Sequence, residues 1–220
     1  MKILFTLAIA AAGQFAWAQE TIALKEFKTI AVSGQIELVL KKSTENKIVI
    51  DEGSSGDLDL SSEGGALAIT VKDPSKGGVE ATVYYSGTLE NIAASGIVEL
   101  YSKNVITTPI LTVSASGAVE IDLKVDADEV VVAAATGAEI RIVGTAKNHQ
   151  AAVASGAEFD ASNLISHNAV VTVGSGGEAM VFASDSMIAT VSSGGELAVY
   201  GNPKQLQEVK ATAAEINIIK

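Results

Sequence analysis

The chain has 220 residues, no cysteine, 15 basic against 26 acidic residues and a net charge of −11 at neutral pH. The absence of thiols excludes disulfides and thiolate metal centres, so an exported form of this fold would rest on burial and backbone pairing alone. The acidic balance excludes a nucleic-acid partner, which requires a basic surface to displace phosphate counterions.

At the N-terminus, Lys2, the apolar run from Ile3 to Ala12 and the small-residue stretch Ala16-Trp17-Ala18 before Gln19 have the three segments of a secretory signal peptide. Residues 1–18 are therefore predicted to be a signal peptide and residues 19–220 one exported domain, located in the periplasm, at the cell surface or outside the cell. The apolar run is too short to cross a bilayer, no cysteine follows it to carry a lipid, and no later segment is long enough to span.

A repeat then runs down the chain. Its first copy is Ser33-Gly34-Gln35-Ile36-Glu37-Leu38, followed by Ser55-Gly56-Asp57-Leu58-Asp59-Leu60 and a weaker Lys76-Gly77-Gly78-Val79-Glu80-Ala81. Ser95-Gly96, Ser116-Gly117, Thr136-Gly137, Ser155-Gly156, Ser175-Gly176 and Ser193-Gly194 open further copies, and Thr212-Ala213-Ala214-Glu215 closes the series. The ten acids, Glu37, Asp59, Glu80, Glu99, Glu120, Glu139, Glu158, Glu178, Glu196 and Glu215, are 18 to 22 residues apart. Each acid stands four residues after the Ser/Thr position in the first five copies and three after it in the last five, so the two halves differ by one residue at the turn.

After each acid, apolar and polar residues alternate, as in Glu139-Ile140-Arg141-Ile142 and Glu196-Leu197-Ala198-Val199, which is the pattern of a half-buried strand. A second β-branched run precedes the turn, as in Val170-Val171-Thr172-Val173. A unit of about twenty residues with two short strands buries its apolar face only by stacking on its neighbours. The sequence therefore predicts an all-β, right-handed parallel β-helix of about ten coils, with Leu100, Ile121, Ile140, Phe159 and Leu197 pointing inward. Glycine suits the bend because it adopts positive φ freely. The Ser or Thr before it is expected to form a hydroxyl ladder, and the small residue after it to fill a crowded inner corner. The prolines, in Asp73-Pro74-Ser75, Thr107-Thr108-Pro109 and Gly201-Asn202-Pro203, are expected in loops outside the ladder.

The opening Phe27-x-x-Ile30-x-Val32-x-Gly34, the serial Ser-Gly-Ala/Gly units and the closing Val199-Tyr200-Gly201-Asn202-Pro203 resemble the bacterial head GIN domain family, labelled an autotransporter adhesin. The resemblance covers the whole mature chain. It implies an exported, β-helix-like envelope protein and transfers no catalytic residue. No translocator-barrel pattern follows Pro203, so the sequence does not predict autotransport by this chain.

Three groups of residues are candidates for chemistry. Stacked in register, Glu120, Glu139, Glu158, Glu178 and Glu196 would lie about 5 Å apart, each pair repelling by about 0.8 kcal/mol in water. Relief comes from solvent on an acidic face, or from calcium bridging adjacent rungs. His149 and His167, about one coil apart and read as loop residues beside Asn148 and Asn168, are a two-residue metal candidate without a third ligand. Tyr84, Tyr85 and Tyr101 are candidates for an exposed aromatic patch that contacts a protein or glycan partner, against packing over a coil seam.

No cofactor is predicted and no catalytic residue is named. The reading is a non-enzymatic adhesion or binding scaffold of the envelope or cell surface. The alternatives are a carbohydrate-active β-helix enzyme acting on polysaccharide, and a structural envelope component with a cation-binding acidic face. Against the enzyme, Arg141 is the single arginine, and an acidic sugar would meet an acidic surface.

Overall fold

The computed structural model describes residues 20–73 and 77–219; the predicted signal peptide and residues 74–76 lie outside the described residues. Apart from a 3-10 turn at Ser55–Asp57, the described residues are strands, turns and loops, as the period-two alternation and β-branched runs require. The strands are β1 Glu20–Ala23, β2 Thr29–Lys42, β3 Lys47–Glu52, β4 Leu58–Glu63, β5 Ala66–Val71, β6 Val79–Tyr85, β7 Asn91–Ser102 and β8 Ile106–Ala135. They continue as β9 Glu139–Val153, β10 Glu158–Ala161, β11 Leu164–Val173, β12 Glu178–Phe182, β13 Ser186–Val191, β14 Glu196–Tyr200, β15 Gln205–Lys210 and β16 Glu215–Ile218.

From β7 onward the chain coils in sequence order. Glu99, Glu120, Glu139, Glu158, Glu178, Glu196 and Glu215 pair with one another rung to rung in parallel register, which makes a β-solenoid of six successive turns. The expectation of ten coils is corrected at the N-terminal side, where the order of rungs in space departs from the order in sequence. There β2 lies under β7, with Glu37 opposite Glu99. On its other side β2 pairs first with β5 and then with β6, so Glu80 lies beyond Glu37 although it comes later in the chain.

Asp59 leaves the ladder entirely. It sits on β4, which runs antiparallel to β5 and places it opposite Thr70. Its place beside Glu80 is taken by Glu52 on the antiparallel strand β3, which is covered in turn by the antiparallel β1. These antiparallel strands close one end of the stack, which a parallel coil by itself would leave as an open edge.

The corner before each acid has two forms. At Gly34, Gly96 and Gly117 one glycine with φ of 104°, 98° and 107° bends a strand that otherwise continues unbroken. In the last four Ser/Thr-Gly copies two consecutive residues have positive φ, for example Thr136 at 57° and Gly137 at 75°, and Ser155 at 56° and Gly156 at 70°. The turn is closed by an N–H to carbonyl bond from Ala138 to Ala135, and from Ala157 to Ala154. Two successive residues in the left-handed region with this bond make a type I′ turn.

Counting back from the Glu120–Glu139 pair, Gly117 is equivalent to Thr136 and Ser116 to Ala135. The halves therefore do not differ in length at the corner, as the sequence suggested; the Ser/Thr-Gly pair has moved one place along it. For the same reason the expected hydroxyl ladder holds only in the wide arcs, where Ser33, Ser95 and Ser116 stack in register. Ser33 and Thr70 meet at 3.0 Å, whereas Ser155, Ser175 and Ser193 occupy the turn tip with positive φ.

Leu100, Ile121, Ile140, Phe159 and Leu197 are all buried, as predicted. Burying each such side chain contributes about 1.5–3 kcal/mol. The crowded inner corner is found only in the tight turns: Ala138, Ala157, Gly177 and Gly195 are buried there, whereas Ile97, which follows Gly96, is 55% exposed. Pro109 falls inside β8, on an exposed position, and Pro203 lies between β14 and β15. The Thr212-Ala213 copy is a true rung, since β16 stacks on β14 in register and Ala213 turns at φ 63° despite its Cβ.

Candidate functional site

Strand periodicity puts every second side chain of the acid-bearing rungs outside. The outer face then reads as columns, because parallel neighbours in register stack like residues about 4.8 Å apart. The first column runs Glu80, Glu37, Glu99, Glu120, Glu139, Glu158, Glu178, Glu196, Glu215. All five cation candidates are therefore brought together. The carboxyls press on one another: Glu52 beside the exposed Glu80, then some loss of hydration, Glu37, Asp51 and Glu99, raise its pKa. Burial, then Glu139, Glu178 and Asp160, raises that of Glu158. Among the described residues no three His, Asp or Glu side chains converge to hold a metal ion.

The second column, two residues further along, includes Val39, Tyr101, Asp122, Arg141 and Asp160. Tyr101 donates its phenol hydrogen to Glu37 Oε1 at 2.6 Å, and this bond, more than burial or the nearby carboxylates, pushes its pKa up to about 12. The third column begins with Tyr84 opposite both Lys41 and Lys47. Their ammonium groups lie 5.4 and 5.2 Å from the ring centre, within cation–π range. Lys103 sits 4.8 Å from the Tyr101 ring.

The three tyrosines are thus not one patch. Tyr85 is 2% exposed and belongs to the core, which corrects its reading as a surface residue, while Tyr84 and Tyr101 stand on different columns. The lysines around them escaped the sequence reading. Their signal, a Lys four residues after Glu37, Glu99 and Glu120, is present in the sequence, but it gains meaning only once the rungs are aligned.

The two histidines are also separated. His149 lies within β9, opposite Val130 and Ala169, and is 1% exposed, so the surface-loop reading is wrong for it. Ser166 donates its hydrogen to the Phe182 carbonyl at 2.5 Å, so His149 Nδ1 donates to Ser166 Oγ at 3.0 Å. Its Nε2 is buried without a partner, and burial lowers the imidazole pKa to about 4. His167 is exposed and pairs instead with Asp185 at 3.1 Å, which Lys204 also contacts at 2.6 Å. Between the two histidine rungs Asn168 donates to Asn148 at 2.9 Å and accepts from Ser186 at 2.6 Å, a short polar ladder that ties three rungs together.

Two grooves cross the remaining outer faces. One, of about 620 Å³, runs over small side chains including Ala31, Ala93, Ser95, Ser116, Ala133 and Ala152. The other, of about 510 Å³, lies beside Thr107, Asp126, Asp128, Thr145, Lys147 and His167. Thr145 donates to Asp126 at 2.8 Å and Lys147 pairs with Asp128 at 2.6 Å, so its polar groups largely satisfy one another.

Solved structures share this architecture at low identity, a likeness of fold. An adhesin candidate from Bacteroides fragilis NCTC 9343 aligns with 20% identity and a TM-score of 0.81 over 91% of this chain and 96% of its own. An adhesin candidate from Parabacteroides distasonis ATCC 8503 gives 17% and 0.71 over 91% and 96%. A protein from the same organism described as a putative lipid binding protein gives 18% and 0.68 over 92% and 96%. Among curated proteins none matches the chain. The family model described as "Putative auto-transporter adhesin, head GIN domain" matches residues 26–203, most of the chain, and the protein belongs to that family.

Proposed function

We propose that the chain is exported and acts, as a single domain, as a non-enzymatic binding scaffold of the cell envelope or surface, adhesive in kind. The observation that carries this reading is the contrast between inside and outside. The inner column Leu100, Ile121, Ile140, Phe159, Ala179 and Leu197 is fully packed. The outer faces are long, rigid and chemically banded, with the acid column, the lysines and both grooves on them. A stacked sheet presents such bands at fixed spacing without ordering flexible loops on binding, which lowers the entropic cost of recognition. Membership of an adhesin-named family supports the same reading.

The test is binding of the purified mature chain to whole cells and to a glycan array, alongside an affinity pull-down from envelope extracts. Saturable binding to a protein or glycan, without turnover, is the expected result. Turnover of a polysaccharide, lost on substituting a defined group of residues, would replace this reading with the enzymatic one. Absence of any partner would leave a structural envelope component.

A further inference from the structure

We propose that the lysine column of the N-terminal rungs binds an extended acidic polysaccharide through its carboxylates, an assignment that rests on the binding-scaffold reading and names its ligand class. Lys47 faces Tyr84 across β3 and β6, and Tyr84 faces Lys41 across β6 and β2. The Lys103 amide donates to the Leu40 carbonyl at 3.0 Å, and the Lys124 amide to Ser102 Oγ at 3.2 Å, which places these residues on the next two rungs. Lys124 then pairs with Val143, where the basic run ends. At about 4.8 Å per rung the column is about 19 Å long.

Most of these charges lack an internal carboxylate partner. Among the described residues Lys41, Lys103 and Lys124 form no ion pair, and Lys47 meets only Glu45, at 3.3 Å. Lys41, Lys103 and Lys124 are all exposed. The rings of Tyr84 and Tyr101 hold the ammonium groups of Lys41, Lys47 and Lys103 over the sheet. Lys42 points elsewhere, its Nζ donating to the carbonyls of Ser86 and Gly87.

The acid column lies four residues back along each strand, about 13 Å away, which exceeds the Debye length of about 8 Å at physiological salt. Nearer acids flank the two ends: Glu45 pairs with Lys47 at 3.3 Å, and Asp122 and Asp126 stand two residues either side of Lys124. Lys41 is flanked on the same face by Val39 and Ser43, and Lys103 by Tyr101 and the exposed Val105. Within the acid column Glu37 leans toward the middle of the lysine column, held by the Tyr101 hydroxyl at 2.6 Å, but Lys41 and Lys103 have no acid within two residues on their own strands.

The width of this band selects the ligand. A nucleic-acid duplex or a membrane surface is broad and would press its own negative charge onto the glutamates alongside. A single polysaccharide chain is narrow and can run along the solenoid axis. Carboxylates repeated along it meet ammonium groups repeated at the strand spacing, and its C–H faces meet Tyr84, Tyr101 and Val105. An acidic sugar thus has a basic landing strip on an otherwise acidic protein.

The mature chain is to be titrated by calorimetry with polygalacturonate and with its neutral methyl ester, using wild type, the Lys41→Gln/Lys103→Gln double variant and Lys147→Gln as a control on another face. Polygalacturonate should bind, more weakly as salt rises, and the ester should not. The double variant should lose affinity by about tenfold or more, the net value of at least one charge-assisted contact, while Lys147→Gln matches wild type. Equal binding of the ester, or wild-type affinity in the double variant, overturns the assignment. So does lysine-dependent binding to phosphatidylglycerol vesicles or single-stranded DNA without binding to polygalacturonate. Wild type that binds whole cells but not polygalacturonate overturns the assignment and leaves the scaffold reading standing; wild type that binds neither overturns both.

Discussion

At Gly34, Gly96 and Gly117 the chain rounds its corner on one glycine, whereas in the last four Ser/Thr-Gly copies two consecutive residues share the positive φ. The acid register is the same on both sides of this change. What differs is the room inside the corner. The wide arcs carry Ile36, Val98 and Val119 just before the acid, and the tight turns carry Ala138, Ala157, Gly177 and Gly195, all buried. A tight turn brings the chain close to the preceding rung: a Cβ added at Gly177 would meet the Val153 carbonyl oxygen at 3.0 Å, and one at Gly195 the Val173 carbonyl carbon at 3.1 Å. Corner geometry and core volume are therefore coupled, and a family of rungs can change one only by changing the other.

The residue after the acid lies outside this difference and should be equally sensitive in both regions. Ile121→Asp and Ile140→Asp each bury a carboxyl in the packed column and should cost several kcal/mol, about 4 or more, seen as loss of the cooperative melt. Tolerance of either substitution would break the shared register.

His149 gives the tight-turn region a pH dependence that its neighbour Val130 cannot. Burial holds its folded pKa at about 4, so between there and the ordinary value near 6.5 the unfolded chain binds more protons. Stability is therefore full above about pH 6.5 and falls as the pH drops toward 4, by about 3 kcal/mol from this group. Denaturation midpoints measured across that range should show the slope in wild type and a smaller one in His149→Met. An unchanged slope would place the buried proton elsewhere.

The glycines sharpen the comparison directly. At Gly117 a Cβ would meet the Gly96 carbonyl oxygen at 2.8 Å, at φ 107°; at Gly156 nothing lies within 4 Å, at φ 70°. Gly117→Ala should cost about 2–3 kcal/mol through strain and displaced backbone, against about 1 kcal/mol for Gly156→Ala. Similar melting temperatures for the two variants would remove the distinction between the corners.

The smallest effect belongs to the acid column. Glu158→Gln relieves burial and the crowding of Glu139, Glu178 and Asp160, and should stabilise the protein at neutral pH by less than about 1 kcal/mol. A carboxyl whose folded pKa is raised favours folding at low pH and loses that contribution as pH rises, so the advantage of the variant should vanish in acid. Calcium that reproduces the gain in wild type but not in Glu158→Gln would identify the column as a cation face.

Much of this molecule could be read locally. The positions of Glu99 through Glu215, the inward residues after them and the need for positive φ near each Ser/Thr-Gly follow from a side-chain period of two combined with a twenty-residue repeat. A slip of one residue would turn every buried Ile and Leu to solvent. The sequence fails where a position depends on which strands become neighbours. Asp59 fits the repeat as well as Glu80 does, yet β4 turns antiparallel and Glu52 takes the place beside Glu80. Tyr84 and Tyr85 are adjacent in sequence and opposite in fate, because alternation buries one of them and only the core side decides which.

Composition, periodicity and spacing by themselves determined that the chain is a stacked β-solenoid with an acidic outer column. Every rung must bury the same face against its neighbours, and that demand is written in each unit. Tertiary structure alone decided that β6 lies beyond β2, that His149 is enclosed, and that Lys47, Lys41, Lys103 and Lys124, separated by up to 83 positions in the chain, stand in one line. Those alignments are set by pairing between distant strands, whose partners no local pattern specifies.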